Sequence, residues 1–356
     1  MLYETVDTTL DRSEQMLRQE LFFHTIRLHC QTNHPALLRM LGVLLDRFPR
    51  CATPSGEARY SVFCYCDPAQ FPVPLPRHRL RLGEMQLLTG THLKYYRDND
   101  GVREYQSYIV QPQVNAAALS VIDVRQHEAL TQLEPLERYE AAFLQRYVLL
   151  LALGRLLHPY GFEPCHAAAI CAPWDHRQGA LIIGSSGSGK TTLSLGCAIA
   201  GCGLLGDDLV MMRYDEREGK VLAHSIMPEI SVRSGSLDLL EQLSFLKASP
   251  ADARGKRYCA IEQLGQGVSC PDVPIGILIF PTLVSGTRST LIPLSKAQTL
   301  QALIEHSIGK ESLYPEEQEL AFSLLSVLVE QACGYQLKIA RGNTDGPEMV
   351  CSLFKR

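Results

Sequence analysis

At 356 residues, with 46% hydrophobic and 20% charged side chains, the chain is long enough for two folded domains and has the composition of a globular protein. A net charge of −4 without long charge runs gives no basic surface for nucleic acid or an anionic membrane, and the longest purely apolar runs, such as residues 147–153, are too short to span a bilayer. The opening 20 residues lack an apolar signal core, so a cytoplasmic protein is expected; the 12 scattered cysteines form no recurring C-x-x-C pair and read as small buried hydrophobes.

Residues 22–31 alternate as a half-buried strand. Residues 35–48 carry Leu37, Leu38, Leu41, Leu44 and Leu45 at helical spacing, with Pro35 in the first turn. Another short strand is expected at 61–66, and a proline-rich loop or edge segment at 68–76. Stretches 92–97 and 102–110 flank Asp98-Asn99-Asp100-Gly101 and predict a hairpin; 115–124 predicts a further strand. These elements make a small α+β N-terminal domain over residues 1–128, suited to substrate or partner recognition and without a catalytic constellation. His24, His29 and His34 read as ordinary surface or core residues. A long helix is expected at 133–157, with Phe143, Tyr147, Leu150 and Leu153 on a broad apolar face, closed by Pro159 and Gly161. It leads into a second domain, residues 129–356.

The chemistry concentrates between His166 and Asp208. Gly184-Ser185-Ser186-Gly187-Ser188-Gly189-Lys190-Thr191 fits G-x-x-x-x-G-K-[ST] at every position, fed by the apolar run 180–183 and followed by a helix-like stretch from Thr192. Glycines let such a loop wrap phosphate oxygens with its N–H groups, and the helix adds its positive end. The nucleotide-binding set is therefore Gly184 to Thr192, with Lys190 on the β and γ phosphates and the Thr191 hydroxyl on magnesium. Farther on, Gly206-Asp207-Asp208 ends an apolar stem, as carboxylates beside a bound metal do. Adjacent carboxylates are costly without a cation or shared proton, so one is expected as metal ligand and one as base. The residues alone leave open which; Thr191 and Asp208 are taken as the metal set. His166 heads the apolar run 167–170, just before the nucleotide strand.

A histidine-headed strand, a P-loop and Gly-Asp-Asp some way beyond resemble the kinase domain of HPr kinase/phosphorylase, whose nucleotide core phosphoenolpyruvate carboxykinase shares. The likeness runs from His166 to Val210, more loosely to about residue 310. It implies an α/β P-loop kinase domain behind the small N-terminal domain, with ATP and Mg²⁺ as cofactors. Asp207, Asp208, His166 and Lys190 match the catalytic positions. The basic segment at 254–258 resembles one in HPr-kinase-like proteins of peptide-modifying gene clusters, making Arg254, Lys256 and Arg257 candidate phosphate or substrate contacts. The signature of true HPr kinases is absent, since 228–235 reads Pro-Glu-Ile-Ser-Val-Arg-Ser-Gly, which points to an acceptor other than HPr.

Downstream, 275–280 is a continuous apolar run suited to a central strand, 290–294 a strand, Ser295 the cap of a helix, 318–334 a helix and 334–339 a last strand. The expected function is an ATP-dependent kinase acting on a hydroxyl, in the resembling class a serine of a peptide or protein. The alternatives are an ATP-binding or ATP-hydrolysing switch, a kinase for a small-molecule hydroxyl, and a non-catalytic binding module. No nucleic-acid or membrane partner is expected, and a homo-oligomer is left open.

Overall fold

The computed structural model describes residues 16–355 apart from 47, 49, 89–90, 111–115, 174–176, 228, 253–254, 266–269, 271 and 308–314. It is a mixed α/β chain in two compact units, Met1–Gly161 and Phe162–Arg356.

In the first unit the alternation across 22–31 resolves into two strands rather than one, β1 (Leu17–Phe23) and β2 (Ile26–Thr32). His24 takes φ +51, a left-handed turn conformation that interrupts a pattern otherwise continuous in sequence. β2, α1 (Pro35–Leu45) and β3 (Gly56–Cys64) form a parallel crossover. The start of α1 follows its capping chemistry: Pro35 lies in the first turn and His34 Nδ1 accepts the Ala36 N–H at 3.2 Å. An antiparallel meander comes next: β4 (Arg79–Leu88), β5 (Thr91–Asp98), β6 (Arg103–Val110), β7 (Ala116–Asp123) and β8 (Glu128–Leu133). β8 returns beside β3 in parallel, giving the order β1-β2-β3-β8-β7-β6-β5-β4. The predicted hairpin joins β5 to β6, and Asp98 Oδ1 accepts the N–H groups of Val102 and Arg103 across its turn. Asn115, expected to open β7, lies outside the described residues.

The helix expected from residue 133 starts later, because β8 runs through Leu133. α2 (Ala141–Tyr160) contains a π-helical stretch, Leu144–Leu149, and Gly161 at φ +81 ends it. At 20 residues α2 is long and apolar enough, by length and composition, to cross a bilayer, which the shorter purely apolar runs did not indicate. Its buried face belongs to the first unit. The buried Tyr60 hydroxyl donates to the Leu149 carbonyl at 3.1 Å, and buried Arg155 grips Glu104 of β6 with Nε–Oε2 at 2.5 Å and a second bond at 2.7 Å. The boundary expected near 128 therefore falls at 161, because this helix packs backward in sequence.

The second unit is built on β9 (Glu163–Cys165), β10 (Ala167–Cys171), β11 (Gly179–Ile183), α3 (Lys190–Ile199), β12 (Gly203–Gly206), β13 (Val210–Asp215) and β14 (Lys220–Ser225). A ribbon of β15 (Glu229–Arg233) and β16 (Lys256–Ala260) follows, then β17 (Asp272–Val284), β18 (Thr290–Pro293) and β19 (Cys333–Ala340). The main sheet runs β12-β10-β11-β17-β14-β13-β9, with β19 on β17 and β18 on β19; the ribbon stands apart. β17 is its spine, parallel to both β11 and β19. Its continuous apolar run is explained by burial on both faces. Ile277 and Ile279 join one core with Ala180, Ile182, Leu193 and Leu204. Leu278 and Phe280 join another with Leu181, Ile183, Leu324 and Leu328. Helices cover each face: α3 and Gly346–Leu353 on the first, Lys296–Ser307 and Pro315–Gln331 on the second. Ser295 caps its helix as predicted: its Oγ accepts from the Gln298 N–H, and Gln298 Oε1 accepts the Ser295 N–H at 2.9 Å.

Candidate active site

Strand direction brings three breaks in the chain to one edge of the second sheet. β10 is antiparallel to both β11 and β12, so the carboxyl ends of β11 and β12 share an edge, and β10 begins there. The glycine-rich loop 184–189 leaves β11, Asp207 and Asp208 leave β12, and His166 heads β10. Register makes this concrete: Ala167 pairs Ile183, Ala169 pairs Gly206, and Cys165 pairs Val210 across β9 and β13. His166 thus divides β9 from β10 opposite the place where Asp207–Leu209 divide β12 from β13. The expected strand break at the acids is present.

The loop itself is glycine-dependent at two points. Gly187 and Gly189 have φ +83 and +97, and Gly189 is the residue from which α3 starts. A Cβ at Gly184 would lie 2.7 Å from Ser188 Oγ, itself a buried hydroxyl without a hydrogen-bond partner. Ser185, Ser186 and Gly187 are exposed at the tip. Lys190 is only 6% exposed, and its Nζ donates to the Gly184 carbonyl at 2.6 Å and the Ser185 carbonyl at 3.3 Å. The ammonium is thus folded back onto the first two carbonyls of the loop. Thr192 turns elsewhere, its hydroxyl 2.7 Å from Ser236 Oγ.

Thr191 joins the loop to the acids. Its hydroxyl donates to Asp207 Oδ2 at 2.8 Å, and Ser194 Oγ approaches Oδ1 at 3.4 Å. Asp207 is 2% exposed; burial first, then the charge of Asp208, push its carboxyl up to about 7. Asp208 behaves oppositely. Burial acts to raise it, but the ammonium of Lys256 and then His166 outweigh that and hold it below the usual carboxylate range. Its side chain retains 29% exposure, and its backbone sits at φ +70, a left-handed conformation uncommon outside glycine.

The β15–β16 ribbon supplies the partners of Asp208. Ser231 pairs Tyr258 and Arg233 pairs Lys256, so Ser231 and Lys256 are diagonal neighbours on one face. Lys256 Nζ lies 3.3 Å from Asp208 Oδ2 and donates to Ser231 Oγ at 3.1 Å; Ser231 Oγ donates to the same carboxylate oxygen at 3.2 Å. Of the basic segment, Lys256 therefore reaches the acids, whereas Arg257 Nε donates to the Ser249 carbonyl at 3.0 Å and Arg254 lies outside the described residues. Ser231 and Ser194 went unmarked in the sequence, since a serine within an apolar strand or a helix turn carries no motif.

The cluster of Thr191 hydroxyl and two carboxylates is a hard-oxygen donor set, the kind that suits magnesium. A buried carboxyl pushed upward by an adjacent one is a group that a cation would relieve. The loop N-terminal to α3 offers amides for phosphate, and the partly exposed Asp208 offers a proton acceptor beside it.

No family model matches the chain, and no curated protein matches it. Among solved structures, the Hpr(Ser) kinase/phosphatase from Coxiella burnetii is 16% identical, aligned over 54% of this chain and 88% of that one, with a TM-score of 0.31.

Proposed function

We propose that this chain is an ATP-dependent kinase that transfers the γ-phosphoryl group to the hydroxyl of a serine in a peptide or protein. The observation that carries the reading is the 2.8 Å bond from Thr191 to Asp207, which ties a complete P-loop to the paired acids. The loop amides and Lys190 bind the triphosphate, for which Lys190 must leave the Gly184 and Ser185 carbonyls. Thr191 and Asp207 hold Mg²⁺, which when bound neutralises charge on the phosphates. This moves the metal role from Asp208 to its neighbour, because Asp207 is the acid bonded to Thr191. Asp208, kept ionised by Lys256 and open to solvent, accepts the proton of the acceptor hydroxyl as its oxygen attacks phosphorus. Lys256 orients that carboxylate, and His166 adds favourable charge from the head of β10. Positioning and charge neutralisation account for most of the rate.

The test is incubation of the full chain with γ-labelled ATP, Mg²⁺ and serine-containing peptides. Label on a peptide serine is expected from the native chain. Lys190→Ala should lose measurable transfer, and Asp208→Asn should lose about 10²–10⁴-fold while still binding nucleotide, as expected for a general base. Free phosphate as the only labelled product with every acceptor would overturn the kinase reading in favour of an ATP-hydrolysing switch.

A further inference from the structure

Behind the nucleotide loop, on the face of the sheet covered by α3, three cysteines converge. Cys197 lies on α3, Cys202 on the link from α3 to β12, and Cys351 on the helix Gly346–Leu353. Cys202 Sγ and Cys351 Sγ are 3.3 Å apart, although 149 residues separate them in sequence. Cys197 is in hydrogen-bonding contact with both. The three differ in access: Cys197 and Cys202 are fully buried, while Cys351 is part-exposed.

We propose that Cys202 and Cys351 form a reversible disulfide when the protein meets a hydroperoxide, with Cys351 the thiol that is oxidised first. Geometry, access and chemistry all favour this. The sulfurs are already in contact, so closing to the usual ~2.05 Å needs a movement of about 1 Å. Cys351 alone of the three is open to an oxidant. The hydrogen bonds it receives from Cys197 and Cys202, followed by the charge of Lys355, hold its thiol low, toward the nucleophilic thiolate. The Cys351 sulfur attacks the peroxide O–O bond, takes one oxygen as a sulfenic acid and releases the alcohol. Cys202 sulfur then attacks the sulfenic sulfur, expelling water. Two thiols and one hydroperoxide thus give one disulfide, one alcohol and one water. A thiol reductant reverses it.

The location gives the bond a consequence. Cys202 directly precedes β12, whose far end carries Asp207, and it follows the helix that starts at Lys190. The crosslink would fasten that connection to the C-terminal helix without touching the phosphate site. A second thiol pair, Cys171 with Cys270, is buried on both members and serves as an internal control.

The experiment treats the full chain with hydrogen peroxide, caps remaining thiols with iodoacetamide, and maps peptides with and without reductant. A Cys202–Cys351 linked peptide is expected at low peroxide, two mass units below the sum of its halves and removed by dithiothreitol. It should be lost in Cys351→Ser and kept in Cys197→Ser, with Cys171 and Cys270 still reduced. Peroxide that drives Cys351 to sulfinic acid, or that leaves it to be capped, with no linked peptide in the native chain, overturns the proposal. The reading is independent of whether the P-loop site is a kinase, since it needs no nucleotide.

Discussion

Asp207 and Asp208 are adjacent in sequence and opposite in electrostatic character, and the difference comes from their neighbours. Asp207 points into the unit toward Thr191 and is pushed up to about 7, whereas Asp208 turns through φ +70 toward Lys256 and is held low. A carboxyl whose folded pKa exceeds its unfolded value of about 3.9 removes stability as pH rises from that value through the folded one. Asp207→Asn should therefore stabilise the metal-free protein at pH 8, by on the order of 2–4 kcal/mol, and hardly at all at pH 4, read from urea midpoints. The same substitution should abolish phosphoryl transfer. A midpoint at pH 8 unchanged by the mutation would mean that the buried acid carries no such penalty. For the native chain, binding of Mg²⁺ and nucleotide should weaken as pH falls below about 7, because Asp207 must shed a proton to ligate; calorimetric titration at pH 6 and 8 measures this. Lys190, Thr191 and the acid pair stood out in the sequence because G-x-x-x-x-G-K-[ST] has a fixed spacing, and the structure brings Thr191 to Asp207. Ser231 did not, because it lies 23 residues beyond Asp208 and reaches it only once the β15–β16 ribbon folds alongside.

Two glycines inside helices show how element-scale packing overrides propensity. A Cβ at Gly196 of α3 would collide with the ring of Pro347, so this glycine is what lets α3 lie against Gly346–Leu353. A Cβ at Gly154 of α2 would meet nothing within 4 Å. Gly154→Ala should therefore gain about 0.5–1 kcal/mol from helix propensity. Gly196→Ala has the same propensity gain yet should lose about 1–3 kcal/mol by overpacking against a rigid ring. Chemical denaturation of both variants separates the two, and equal effects would show that the helix contact at Pro347 is slack. Elements with a single strong signal were readable in sequence: the apolar run of β17, the turn between β5 and β6, the Ser295 cap. β4 and β8 were missed, since Arg79–Leu88 mixes charge into its alternation and Glu128–Leu133 has buried Thr131 and Gln132 among its leucines. The buried Gln132 is satisfied by both backbone groups of Val73, a partner that no local window contains.

Across the whole molecule the chain divides into two compact units. Phe63, Val121 and Leu130 centre a cluster in the first; two clusters sandwich the main sheet of the second. A chain of two compact units need not unfold in one all-or-none transition. Scanning calorimetry should resolve two transitions, and each unit offers its own handle. In the first, Glu104 is 1% exposed and held by Arg155 and, at 3.0 Å, by Arg97. Arg155→Met removes the buried cation and leaves the carboxylate with one partner. Stranding a buried charge costs about 3–5 kcal/mol, and Arg97 should keep the loss toward the lower figure. That substitution should lower one transition alone. On the proposed reading, nucleotide with Mg²⁺ binds folded protein at Gly184–Thr191 of the other unit, so it should raise the second transition as its concentration rises above the dissociation constant. Movement of a single shared transition under both treatments would mean that the two units unfold as one.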